Sequence, residues 1–95
     1  MKAYLLKPDG TKEDIESPEN GEAYEYPQLK KLLVAAGIDI FQICKTKTPE
    51  LMMLIDDCGK LMGMETNLRA SAMYLHYPHD YIVGPALIIP TEWMQ

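Results

Sequence analysis

Arg69 is the only arginine in the 95-residue chain, and its neighbours make it the first place to look for chemistry. It lies between Asn67 and Ser71, downstream of a glycine-containing loop, in a run that reads as the start of a helix. The first N–H groups of a helix have no intrahelical partner and carry partial positive charge, so an anion can dock there. A guanidinium adds a bidentate fork for phosphate or carboxylate. Asn67, Arg69 and Ser71 are therefore the candidate ligand-binding residues, for a small anionic, nucleotide-like molecule at the 63–71 loop and helix start. Alternatively, Arg69 pairs with Asp56, Asp57 or Glu65 and only fixes the loop, the commoner role of a local charge.

Other reactive residue types offer less. Asp56 and Asp57 are adjacent, which on a strand sends them to opposite faces and makes them a poor acid–base pair. They fit the turn Asp57-Cys58-Gly59-Lys60 better. Cys44, Cys58, His76 and His79 can be written as a four-ligand set, but the tight cysteine pair of structural zinc sites is missing. Cys44 with His76 or His79 as base would make a thiol nucleophile, without any local signature for one. Neither Ser17 nor Ser71 sits in a nucleophile elbow, and Gly59-Lys60-Leu61-Met62-Gly63 lacks the ending of a phosphate loop. No catalytic residue, metal ligand or cofactor is assigned.

Charge is distributed unevenly. Between Asp9 and Glu25 stand seven acids against Lys12 alone. Such a stripe is usually a solvated face, but it can steer a protein onto a basic partner. Glu13, Asp14, Glu16, Glu19, Glu22 and Glu25 are the candidate partner-binding residues. Five methionines, Met52, Met53, Met62, Met64 and Met73, gather in the second half, as core filler or as an adaptable binding surface. A net charge of −5 disfavours direct binding to nucleic acid or anionic membranes. No apolar run is long enough to span a membrane, and the N-terminal stretch is broken too early for a signal peptide. A cytoplasmic setting with both cysteines as free thiols follows as the expectation.

The elements that must position these residues read as follows. Lys2–Lys7 and Lys12–Glu16 make a hairpin around Pro8-Asp9-Gly10-Thr11. Leu29, Leu32, Leu33 and Ala36 form one helical stripe, entered at Pro27 and stopped at Gly37. Ile38–Cys44 and Leu51–Asp56 are strands, Leu61–Met64 is a short return strand, and Asn67–His76 is a second helix. Tyr81–Ile89 is the last strand, broken by Gly84-Pro85, and residues 91–95 are a tail. The expected fold is one small α+β domain over residues 1–95, a mostly antiparallel sheet of about four to six strands with two helices packed on one face. Ile38–Cys44 or Tyr81–Ile89, if at an edge, could pair across a two-fold axis, so a homodimer is open.

Three segments, Leu54-Ile55-Asp56-Asp57-Cys58-Gly59-Lys60, Asn67-Leu68-Arg69-Ala70-Ser71-Ala72 and Ile82–Ile89, together resemble a family of small uncharacterised domains met in bacteriophages, plasmids and other mobile elements of bacteria. The opening Met1–Leu6 and the helix after Pro27 are similar too. Family members often carry proline and threonine where this chain has Leu68 and Ser71. The resemblance implies a small cytoplasmic protein made inside a bacterial host, and no catalytic activity. The leading expectation is a non-enzymatic protein that binds and modulates or inhibits a host protein, such as a defence protein, through its acidic and Met-rich surfaces. The alternatives are the anion binder at 63–71 and, last, a cysteine/histidine enzyme.

Overall fold

The computed structural model describes residues 2–94, so the last residue of the expected tail, Gln95, lies outside the described residues. Strand β1 (Ala3–Leu6) turns through Pro8–Gly10 into β2 (Lys12–Ile15); then follow α1 (Tyr26–Ala35), β3 (Phe41–Lys45), β4 (Leu51–Asp56), α2 (Leu68–Met73) and β5 (Ala86–Pro90). The five strands form one antiparallel sheet in the order β2-β1-β5-β4-β3. This is the α+β class, with the antiparallel sheet and two helices that the sequence predicts. No helix of the described residues is long and apolar enough to cross a membrane.

The helices do not share a face. Leu5, Leu54 and Leu87 lie in register on one face, where Leu29, Leu32 and Leu33 of α1 cover them. Met53 and Ile88 lie in register on the other, in one cluster with Ala70 of α2. The cause is alternation. Leu51–Ile55 and Ala86–Ile89 are uninterrupted apolar runs, and successive side chains of a strand point to opposite sides, so both sides need a cover. The expectation of two helices on one face is thus corrected to one helix on each.

Several boundaries also shift. Gly37, at φ +81°, ends α1, and Ile38 turns into the core below it. β3 therefore starts only at Phe41, after a bend in which Asp56 Oδ2 accepts the Asp39 N–H at 3.1 Å. The expected strand at Leu61–Met64 is a series of turns, with Leu61 91% exposed and nothing to pair with. α2 stops at Met73 because Tyr74 is extended and forms a bridge with Thr46. The last strand starts at Ala86, since Gly84 (φ +74°) and Pro85 break the run.

Asn67 fastens these parts together. Its side chain is fully buried; Nδ2 donates to the carbonyls of Leu6 and Gly84, both at 2.9 Å, while Oδ1 accepts the Ala70 N–H at 3.1 Å. One carboxamide thus joins the end of β1, the approach to β5 and the first turn of α2. Asn67→Ala takes the side-chain partner from the Gly84 carbonyl and the Ala70 N–H and the second donor from the Leu6 carbonyl, and should cost about 2–4 kcal/mol. Urea unfolding followed by circular dichroism checks this; a loss below about 0.5 kcal/mol, the scale of an ordinary surface substitution, would contradict it.

Candidate functional site

The structure separates the three residues of the anion site. Asn67 is consumed as above. Ser71 is buried, its hydroxyl accepting the Ile82 N–H at 2.8 Å and donating to the Ile82 carbonyl at 3.2 Å. Both side chains hold the loop that returns toward β5 and present no donor to solvent. Arg69 does reach solvent, but its guanidinium donates at 3.0 Å to the carbonyl of Gly10 in the β1–β2 turn. It pairs with none of Asp56, Asp57 or Glu65. α2 is only six residues long, fewer than two turns.

A groove on the α1 side is the larger feature. Its floor is Leu5 and Ile15, one wall is the end of α1 (Leu32, Ala35, Ala36, Gly37), and the other is Met64, Glu65, Gly84 and Pro85. Lys7, Pro8, Asp9 and Glu13 close one end. It encloses about 560 Å³, within the usual span of ligand pockets. The groove exists because α1 is ten residues long and stops at Gly37, leaving one corner of the sheet face uncovered. Gly84 keeps the far wall close: a Cβ there would lie 2.6 Å from Met64 Sδ, at a backbone angle L-residues rarely adopt.

The lining is mostly apolar and its charges are mostly negative. Asp9, Glu13 and Glu65 face a single cation, Lys7, which already pairs with Glu13 at 3.0 Å. The Asp9 carboxylate accepts from the Thr11 hydroxyl (2.6 Å) and the Thr11 N–H (2.9 Å), and these bonds hold its pKa below the usual carboxylate value.

All six acids proposed from the sequence are exposed, but they are split. Glu13 pairs in register with Leu5 and so faces the groove, whereas Asp14 pairs with Tyr4, faces the α2 side and lies 4.0 Å from Lys2. Glu16, Glu19, Glu22 and Glu25 sit in the loop between β2 and α1. That loop is held from within: Gln28 accepts the Glu19 N–H and donates to the Ser17 carbonyl, both at 3.0 Å. Tyr24 donates to the Glu16 carbonyl and meets Trp93 edge-on, and burial followed by the charge of Glu16 pushes its hydroxyl up to about 12.

The methionines form no common surface. Met53 is fully buried, Met73 receives the Tyr4 hydroxyl at 3.8 Å on the α2 side, Met64 walls the groove, and Met62 is exposed in the turns after Cys58. The groove itself draws on five separate stretches of chain, and no local sequence signal marks Glu65 as part of its rim.

Cys44 and Cys58 are both free. Cys44 is buried under the α2 side, and burial, followed by the charges of Asp80 and Asp57, raises its pKa. A nucleophile needs the reverse, an exposed and easily ionised thiol. His76 and His79 lie exposed in the turn after α2, and Lys60 rather than a histidine pairs with Asp80. Among the described residues no three His, Cys, Asp or Glu side chains gather to hold a metal ion. Iodoacetamide at pH 8 should therefore modify Cys58 at least about tenfold faster than Cys44, a ratio that peptide mass spectrometry reads directly. Faster labelling of Cys44 would restore it as a candidate nucleophile. Compared with protein-family models, curated proteins and solved structures, the chain matches none.

Proposed function

We propose that the protein is a non-enzymatic binding module whose target presents an apolar anchor flanked by basic side chains. The observation that carries this reading is the groove: an apolar trough of about 560 Å³ whose rim holds Asp9, Glu13 and Glu65 against Lys7 alone. Burying an anchor on Leu5, Ile15 and Met64 removes apolar surface from water, and the carboxylates favour a cationic surround. Long-range attraction by the remaining acids would speed encounter with the same partner. In the phage or mobile-element setting that the sequence resembles, the target is a host protein, a defence protein among the candidates, met in the bacterial cytoplasm and modulated or inhibited by occupation. The anion reading has less support, because Asn67 and Ser71 are occupied and only Arg69 remains.

Fluorescence anisotropy tests the reading with labelled peptides that carry one Leu or Phe anchor between pairs of Lys or Arg, against matched peptides with Glu in those places. The basic peptides should bind with Kd of about 1–100 µM and the acidic ones at least tenfold more weakly. Raising NaCl to about 0.5 M should narrow that gap, since exposed charges are screened. The double substitution Glu13→Lys and Glu65→Lys should cost the basic peptides about tenfold in affinity. Equal binding of both peptide sets, or none at about 1 mM, would contradict the proposal.

A further inference from the structure

The two edges of the sheet differ in kind. β2 carries Lys12, Glu13 and Asp14, and consecutive charges guard an edge against further pairing. β3, at the other edge, has no charge from Phe41 to Cys44. Its hydrogen bonding shows which groups look outward. The Ile40 carbonyl accepts the Asp57 N–H at 2.7 Å, and the Lys45 carbonyl accepts the Leu75 N–H at 3.1 Å. Bonding alternates along an antiparallel strand, so residues 40, 42 and 44 face β4 while Phe41 and Ile43 turn their N–H and C=O groups away from it. From Lys45 onward the chain covers its own edge, since Lys47 N–H also donates to Met73 at 2.9 Å. Among the described residues nothing meets the outward groups of Phe41 and Ile43. Ile43 is 48% exposed and Ile40 61% exposed beside them.

We propose that β3 pairs with β3 of a second copy, antiparallel about a two-fold axis through Gln42, joining two five-stranded sheets into one. In this register Phe41 lies opposite the partner's Ile43 and the two exchange both backbone bonds; the symmetric pair does the same. The side chains of both pairs fall on the α1 face, because Ile43 is in register with Leu54, so an aromatic ring meets a β-branched chain twice. Neighbouring registers fail. An axis through Ile43 would drive the partner's Phe41 against Lys45, whose outer side is taken by Leu75. An axis through Phe41 would leave Ile43 opposite the bend at the partner's Asp39, before the strand begins. The strand thus matches its own copy in backbone and apolar surface in one register. The groove contains no residue of β3, so a dimer keeps both grooves open and presents two to one target.

The pairing is short, so the dimer should dissociate on dilution. Sedimentation equilibrium of the wild-type chain from about 5 µM to about 1 mM should show the mean mass rising from 10.8 kDa toward twice that value. Ile43→Lys should stay at 10.8 kDa throughout with an unchanged far-UV spectrum. Gln42→Cys in a Cys58→Ser background fixes the register: a non-hydrogen-bonded pair on the axis has Cβ atoms about 4.5–5.5 Å apart, close enough to form a disulfide with slight adjustment. Mild oxidation should convert it to a covalent dimer, and Glu13→Cys in the same background should stay monomeric. A wild-type chain that is monomeric at about 1 mM overturns the proposal whatever else binds the edge, as does a dimer that forms but gives no Gln42→Cys cross-link. Should Ile43→Lys unfold, the cross-link decides alone.

Discussion

The carboxamide of Asn67 holds the molecule at the point where chain segments of very different sequence position converge. It sits 61 residues from Leu6 and 17 from Gly84, and bonds to the carbonyls of both. The Leu6 carbonyl also takes part in the β1–β5 ladder opposite Ala86, so the carboxamide gives it a second donor, while it supplies the Gly84 carbonyl with a partner that a buried carbonyl needs. The same side chain caps α2, so the helix starts where the β1 end and the β5 approach have been joined. Ser71, one turn later, repeats the device on Ile82. Both residues are of types that also serve ligand sites, and here the backbone is their ligand.

That clamp has consequences on the far side of the sheet. By fixing Gly84 it fixes Pro85 and the position against which Met64 packs, and these form one wall of the groove. The other wall depends on α1 stopping at Gly37. The groove is therefore made by two chain terminations, one of a helix and one of a loop, over a strip of sheet that neither covers. Two of its three rim acids, Asp9 and Glu13, come from the β1–β2 hairpin, whose edge strand needs charge in any case to stay unpaired. One set of residues thus protects an edge and gives the trough its sign.

The hairpin, α1 and the antiparallel α+β class were legible in the sequence because each has a local cause: Pro8-Asp9-Gly10 for the turn, the Leu29–Leu32–Leu33 stripe for the helix. The two-sided burial of the sheet was misread as one covered face, although the unbroken run Ala86–Ile89, through the alternation of a strand, calls for a cover on each side. Asn67 was readable as a cap but not as a clamp, since its partners at Leu6 and Gly84 are set by topology. The same holds for the groove, whose lining is drawn from residues 5 to 85. Leu61–Met64 misled for the opposite reason: apolar residues with no neighbouring strand to pair with remain in turns.

The proposed docking at the uncovered corner beside α1 places every contact with the target in the groove. An amide shift map of the ¹⁵N-labelled chain, titrated with a basic-flanked apolar peptide, tests it most directly. The perturbed amides should be those of Leu5, Ile15, Ala35, Ala36, Glu65 and their chain neighbours, with β3 and the turn after α2 unmoved. Perturbations centred on Arg69, on Ile43, or spread over the loop of Glu16–Glu25 without the groove would contradict it.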